Sequence, residues 1–314
     1  MLLENNNLII VDIGASGGIH PRWKNLTPHF IGILFEPDSR EYSTLKENSE
    51  SNLIVLNSAL SDSRKEVEFN LCKKQTVSSV YKPNFNFLDK FTNSERFKVE
   101  KNIKLNADTL GNQLKINNIN EVDFIKIDTQ GYELPILRGY AKNFDSVIGL
   151  EIEVEFEPMY EGQPLFSDVD NFVKDKGFSL VDLKRYYWKR QNNVNTGNSK
   201  GQMIFGDALY FKSPEQILLM PNISQEKIIR CIFIYLAYGY VDLAQTLLKN
   251  ATNKELLSEE IHDLLLIELK KYENNKILKG FKMRRKIAEL FHNLSKKIDP
   301  GDDYSGTDRL IGNL

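Results

Sequence analysis

Leu8-Ile-Ile-Val-Asp-Ile-Gly-Ala-Ser-Gly-Gly18 is the stretch on which the reading of the fold turns. Residues 8–13 are apolar and mostly β-branched, with Asp12 the one polar exception, as in a parallel strand buried on both faces. Gly14, Gly17 and Gly18 then permit a tight turn whose main chain can approach a bound molecule closely, where a Cβ would clash. A strand here delivers backbone to a ligand, although a plain structural turn is the blander reading of the same residues.

Spacing separates the ligands that such a turn serves. The dinucleotide fingerprint G-x-G-x-x-G would put its glycines at Gly14, Ser16 and Ile19, so two positions fail. No Gly-Lys-Ser/Thr follows, which removes a phosphate-cradling P-loop. Aligned as D-x-G-x-G-x-G, the residues are Asp12, Gly14, Ser16 and Gly18, the form associated with S-adenosylmethionine with one glycine replaced by serine. The second apolar run, Phe30–Phe35, ends in Glu36-Pro37-Asp38, an acid 22 residues after Gly14. A carboxylate at the end of a second strand lies beside the first turn and can accept both ribose hydroxyl hydrogens. Pro37 ends that strand, and Asp38 or Ser39 caps a helix expected over 40–48.

At this point the chain resembles the FkbM-type methyltransferases. The resemblance rests on residues 11–18, on Phe35-Glu-Pro-Asp38, on Ser58-Ala-Leu-Ser-Asp62 and on Phe124-Ile-Lys-Ile-Asp-Thr-Gln-Gly-Tyr-Glu133 with Leu137-Arg-Gly139. It continues through Leu150-Glu-Ile-Glu153 and Tyr160-Glu-Gly-Gln-Pro-Leu-Phe166, and covers roughly residues 1–212. Order and spacing of six blocks make it specific where each block is weak. Ser16 departs from the pattern, as do Thr129-Gln130, where many relatives carry valine and glutamate. The resemblance implies an α/β fold, the Rossmann-like, doubly wound, seven-stranded and mostly parallel sheet of class I methyltransferases, with S-adenosyl-L-methionine as cofactor. The cofactor residues it implies are Asp12, Gly14, Ala15, Ser16, Gly18, Glu36, Pro37 and Asp128, with Ser58, Ala59 and Leu60 along the adenine.

Composition agrees with an ordinary globular chain. The 314 residues hold 41% hydrophobic and 27% charged residues at a formal net charge of -2, so nothing global points to nucleic acid. Cys72 and Cys231 lie far apart in apolar contexts and read as reduced core residues of a cytoplasmic protein. The four histidines show no metal-ligand spacing. The first residues lack signal-peptide character, and the longest apolar stretch, 228–241, is too short and too polar to span a bilayer.

Along the chain, Leu53–Leu56 reads as a third strand and 67–71 as an edge strand. Residues 73–101 form a long loop, placed either as a lid over the acceptor with Ser78 to Tyr81 nearest the chemistry or as a surface excursion pinned by Phe85, Phe87 and Phe91. Residues 106–110 open a helix, with Asp108 or Thr109 as cap. A fourth strand over 122–128 aims Asp128 into the crevice, and a helix follows from Glu133. A fifth, 146–154, puts Glu151, Glu153 and then Glu155 on one face, where three acids either meet solvent or meet a cation. A substrate amine, a neighbouring Lys or Arg, or a divalent metal could serve, and the metal ranks last without a tighter carboxylate cluster. Residues 178–187 and 206–212 supply the last strands, and a sugar could stack on Tyr187 or Trp188 at the tip between them.

A boundary is expected at 213/214, dividing a methyltransferase domain (1–213) from a helical extension (214–314) of three or four helices that packs on it or dimerises. Its last helix, 277–298, is basic and amphipathic; it reads first as a solvated face and second as a contact for a membrane surface or an anionic glycan.

Methyl transfer to a hydroxyl removes charge, since a sulfonium and a developing alkoxide neutralise each other, and it needs a general base. The candidates are Asp128, Glu133, Glu153 and His20, with no metal assigned. The acceptor favoured by the polar, aromatic loops is a saccharide, glycolipid or polysaccharide precursor. A nicotinamide oxidoreductase fails on its glycines, and a non-catalytic scaffold with a partner-binding tail fits poorly with the acids Glu36 and Asp128.

Overall fold

The structure, a computed structural model, describes residues 2–4, 6–191, 201–272, 286–287, 290–291, 294 and 305–308. Its strands are β1 (Leu8–Ile13), β2 (Phe30–Phe35), β3 (Leu53–Leu56), β4 (Ala59–Leu60), β5 (Lys65–Cys72), β6 (Val99–Asp108), β7 (Phe124–Ile127), β8 (Gly149–Glu155), β9 (Ser179–Trp188), β10 (Gln202–Phe211) and β11 (Ser305–Thr307). Its helices are α1 (Ser39–Glu47), α2 (Phe85–Leu88), α3 (Leu110–Ile116), α4 (Glu133–Gly139), α5 (Phe166–Asp175), α6 (Pro214–Ile217), α7 (Gln225–Ala237), α8 (Val241–Asn253) and α9 (Glu259–Lys270).

The main sheet runs β11-β9-β10-β8-β7-β1-β2-β3. Pairings from β8 through β3 are parallel, and β10 and β11 run antiparallel to their neighbours. This is the mostly parallel, doubly wound α/β sheet expected, with the short β11 added at its edge. The chain leaves β1 for β2 on one side and returns to β7 on the other. Ligands in open α/β sheets sit at such a reversal, beyond the carboxyl ends of the strands.

Alternation along the strands divides the core. One face carries Val11, Ile125, Leu150 and Ala208 against α3, α4 and α5. The other carries Leu8, Ile10, Phe124 and Phe211, which share one apolar cluster with Ile228, Ile232 and Tyr235 of α7 and Leu247 and Leu248 of α8. Ser224 caps α7 through Lys227 N, and Gly239 at φ 77° ends it. Ion pairs fasten α7 to the start of β7: Asp123, fully buried, meets Lys227 Nζ at 2.6 Å and Arg230 Nε at 3.0 Å. The helical extension thus covers the sheet.

Several expectations change. Residues 67–71 belong to β5, which pairs with β6 in a separate three-stranded sheet, β4-β6-β5. Strand β6 covers residues read as loop and as the opening of a helix; Ile103, Leu105 and Ala107 alternate within it, masked by interleaved Lys and Asn. Helix α3 starts only at Leu110, with Thr109 as its cap. Strand β8 begins at Gly149, because Phe144–Ser146 forms a 3-10 turn, and β10 begins earlier than read, at Gln202. Most of the basic segment 277–298 and the tip 192–200 lie outside the described residues.

Residues 73–101 are well-organised wall. Phe87, Phe91 and Phe97 cluster with Tyr160 and Trp188, pinning the segment by its aromatics. Tyr187 and Trp188 are both buried, Trp188 against Phe91 and Phe97, so neither offers a ring for a sugar. The half-buried ring on that strand is Tyr186, stacked on Phe205 at 4.4 Å.

Candidate active site

A cavity of about 210 Å³ opens where β1, β2 and β7 end. Its lining includes Gly14 and Ser16 from the first turn, Glu36, Pro37 and Asp38 from the second, Ser58, Ala59 and Leu60 after β3, and Asp128 to Gln130 after β7. The sequence-derived cofactor residues therefore converge, with three exceptions. Asp12 is buried beneath the cavity, 3.3 Å from Lys126 Nζ, while Ala15 and Gly18 close the turn through Gly18 N to Ala15 O at 2.8 Å.

Gly14 lines the cavity and is required by the packing of the sheet as well. At φ 76° it already favours glycine, and a Cβ there would fall 1.9 Å from the backbone oxygen of Asp128. Its missing side chain lets β1 and β7 converge, bringing the turn after β1 and Asp128 together. Gly14 N and Ala15 N both donate to Phe35 O, tying that turn to β2 as well.

Glu36 is 6% exposed and accepts from Asp38 N at 2.9 Å. Burial pushes its pKa up to about 7, against the relief of that hydrogen bond. Further donors, such as a pair of ribose hydroxyls, would relieve it. Asn57 Nδ2 fixes the turn by donating to Glu36 O, and Asp38 caps α1 through Arg40 N. Asp62 stands apart in a polar turn with Ser61, Ser63 and Lys65. Sequence reasoning missed Phe69, Gln75 and Thr76 as cavity lining, because the small sheet brings them in from a segment without motif; Tyr132 and Ile136 were missed on α4 and just before it.

Beside the cavity, one sheet face carries a row of ionisable side chains. Lys126 lies between Asp12 and Glu151 in register. Burial opposes its charge, but Asp12, Asp128 and Glu151 outweigh that and raise its pKa. Asp128 Oδ1 accepts from Gln130 Nε2 at 2.9 Å, and the same amide donates to Glu153 Oε2 at 2.6 Å. Gln130 sits at φ 57°, a costly backbone for a non-glycine residue. Ser79 Oγ, donating to Gln130 O at 2.7 Å, and Tyr160 Oη, at 3.0 Å from Gln130 Oε1, hold it there.

The remaining candidates take distinct places. Glu133 Oε1 accepts from Thr129 N, Thr129 Oγ1 and Gly131 N at 2.6, 3.0 and 3.2 Å, so it organises the loop after β7. His20 Nδ1 accepts from Arg22 N and Nε at 3.2 and 3.1 Å. The neutral ring then carries its proton on Nε2, and protonating Nδ1 would confront two donors. Burial and Arg22 lower its pKa accordingly, so His20 is a hydrogen-bond donor and a poor base. Glu151 accepts from Tyr238 Oη at 2.7 Å, with Arg22 stacked on the Tyr238 ring at 4.0 Å. Asp207, not foreseen, accepts from Tyr186 Oη at 2.9 Å, and burial raises its pKa to about 6. Its only signal was its place across from Glu153 on the neighbouring strand.

The Methyltransferase FkbM domain matches residues 12–180, more than half of the chain. The chain belongs to the FkbM methyltransferase family. It is therefore a methyltransferase, and its cofactor is S-adenosylmethionine. No curated protein matches it at a significant level. Among solved structures, a precorrin-6y C5,15-methyltransferase from Geobacter metallireducens is 12% identical, covering 66% of this chain and 80% of its own at a TM-score of 0.34. TrmK of M. capricolum, solved with S-adenosyl-homocysteine, is 9% identical, covering 85% and 90% at a TM-score of 0.32. Among the described residues of this FkbM-family chain, no helix is long and apolar enough to cross a membrane.

Proposed function

We propose that the chain O-methylates a hydroxyl of a saccharide, as a free glycan, a glycolipid or a polysaccharide precursor. The observation that carries this reading is the position of Asp128: it lines the cofactor cavity and is joined through Gln130 to Glu153. A hydroxyl acceptor needs a base within hydrogen-bond reach of the reacting oxygen and further polar groups for its other hydroxyls. Asp128 is the base, and Glu153 and Asp207, the latter 3.7 Å from Lys184 Nζ, extend the polar row away from it. Tyr186 on Phe205 offers an aromatic surface next to Asp207, suited to a sugar ring.

The residues present fit the cofactor, since Glu36 is a buried carboxyl lining a cavity and lacks a cationic partner among the described residues. When bound, S-adenosylmethionine supplies a methyl group on a positively charged sulfur. Glu36 holds the ribose, Ser58 to Leu60 line the base, and Asp128 takes the hydroxyl proton. Lys126 offsets the negative charge of Asp12, Asp128 and Glu151. Free, buried Cys72 and Cys231 fit a reducing compartment such as the cytoplasm.

The test is incubation with methyl-labelled cofactor and a panel of glycans, glycolipids, amines and hydroxylated metabolites, read by mass spectrometry. Label on a sugar oxygen is expected. Label confined to nitrogen or carbon would overturn the proposal.

A further inference from the structure

Behind the loop after β7, one carboxylate oxygen from each of Glu133, Glu153 and Glu155 lies within 4.8 Å of the other two. The three residues are 1%, 7% and 2% exposed. Among the described residues no Lys, Arg or His forms an ion pair with any of them. Three carboxylates brought together away from water must be relieved by protons or by a cation.

One further feature points to a cation. Glu155 Oε1 is buried and has no hydrogen-bond partner. The other two carboxylates are already oriented from outside the cluster: Glu133 Oε1 by Thr129 and Gly131, and Glu153 Oε2 by Gln130. Donors that fix carboxylates from behind are the usual surroundings of metal-binding oxygens. Spacing agrees as well. Oxygens on opposite sides of an ion lie about 4.2 Å apart for Mg2+ and about 4.8 Å for Ca2+, twice the metal–oxygen distance.

We propose that Glu133, Glu153 and Glu155 bind a divalent, oxygen-seeking cation of the Mg2+, Mn2+ or Ca2+ class. The low rank given to a metal in the sequence reflected the want of a tight cluster, and Glu133, from another element, completes one. Held there, the ion fixes Glu133 against the turn of Thr129 to Gly131 and Glu153 against Gln130. It thereby positions Asp128, whichever acceptor the enzyme uses.

The test is titration of chelator-stripped protein with Mn2+, counting free ion by electron paramagnetic resonance, on the wild type and Glu155→Gln. Titration with S-adenosylhomocysteine serves as a check of folding. The wild type is expected to bind about one Mn2+ per chain, displaced by Mg2+ or Ca2+, and E155Q to bind it at least about tenfold more weakly. If E155Q does not fold, Glu153→Gln is read the same way. Wild type that leaves Mn2+ free, or a folded variant that binds it as tightly as wild type, overturns the site.

Discussion

Glu36 and Glu153 are both buried acids beside the same crevice, yet they arrive there by different routes. Glu36 stands at the end of β2, beside the turn that follows β1, with its backbone held by Asn57 and its carboxylate by Asp38 N. Its place follows from a short run of sequence and the parallel pairing of two adjacent strands. Glu153 lies within β8, and its partners come from elsewhere: Gln130 from the loop after β7, with Glu133 and Glu155 close by. The Glu36 side of the crevice is local in sequence; the Glu153 side is assembled by tertiary structure.

Exchanging Asp128 for Asn should separate the two sides most sharply. Loss of a general base costs typically 10²–10⁴-fold in turnover. Turnover is expected to fall by about that factor in steady-state assays, with calorimetric affinity for S-adenosylhomocysteine nearly unchanged. A large loss of affinity would merge the two sides into one.

Asp123→Ala is the next largest effect and addresses stability alone. It leaves Lys227 and Arg230 with only the partly exposed carboxylate of Glu121 and leaves Ile9 N without its acceptor, at a cost of about 3 kcal/mol. Chemical denaturation should report that loss while the folded protein still binds cofactor. Gly14→Ala, which forces a Cβ toward Asp128 O at a positive φ, should cost roughly 3 kcal/mol or more by the same measurement. An effect under about 1 kcal/mol would mean that β1 and β7 do not meet as described.

Glu36→Gln should weaken S-adenosylhomocysteine by about 10–100-fold, as expected for the loss of one hydrogen bond to a charged group at about 1.5–3 kcal/mol. It should also change the pH dependence of stability. The Glu36 pKa rises from 4.5 to about 7 on folding, so between these values the native state holds a proton that the unfolded chain has released. This stabilisation is fully present below 4.5 and is lost as pH rises through about 7. In the ligand-free protein, melting temperature against pH should decline less steeply across that window in Glu36→Gln than in wild type.

The same contrast explains what the sequence could tell. The two motif strands and the acid after each, Glu36 and Asp128, were legible because glycine spacing and apolar runs encode them within a few residues. The small sheet was only half legible, since β5 alternates plainly whereas β6 hides Ile103 and Leu105 among lysines and asparagines. That Asp12 lies against Lys126 was not legible, because the motif tells which residues recur and not which way each faces. Glu133 and His20 were recognised as ionisable groups near the site, but their occupied oxygens and nitrogen emerge only from the loops around them. Asp207 and the meeting of Glu133 with Glu155 depend on strand register and on a turn between distant segments, which no local pattern records.

A crystal structure of the protein with S-adenosylhomocysteine bears most directly on the central assignment. It should place the ribose against Glu36, the adenine along Ser58 to Leu60 and the sulfur facing Asp128. A nucleoside bound in another cavity, or one seated here with its sulfur turned away from Asp128, would contradict it.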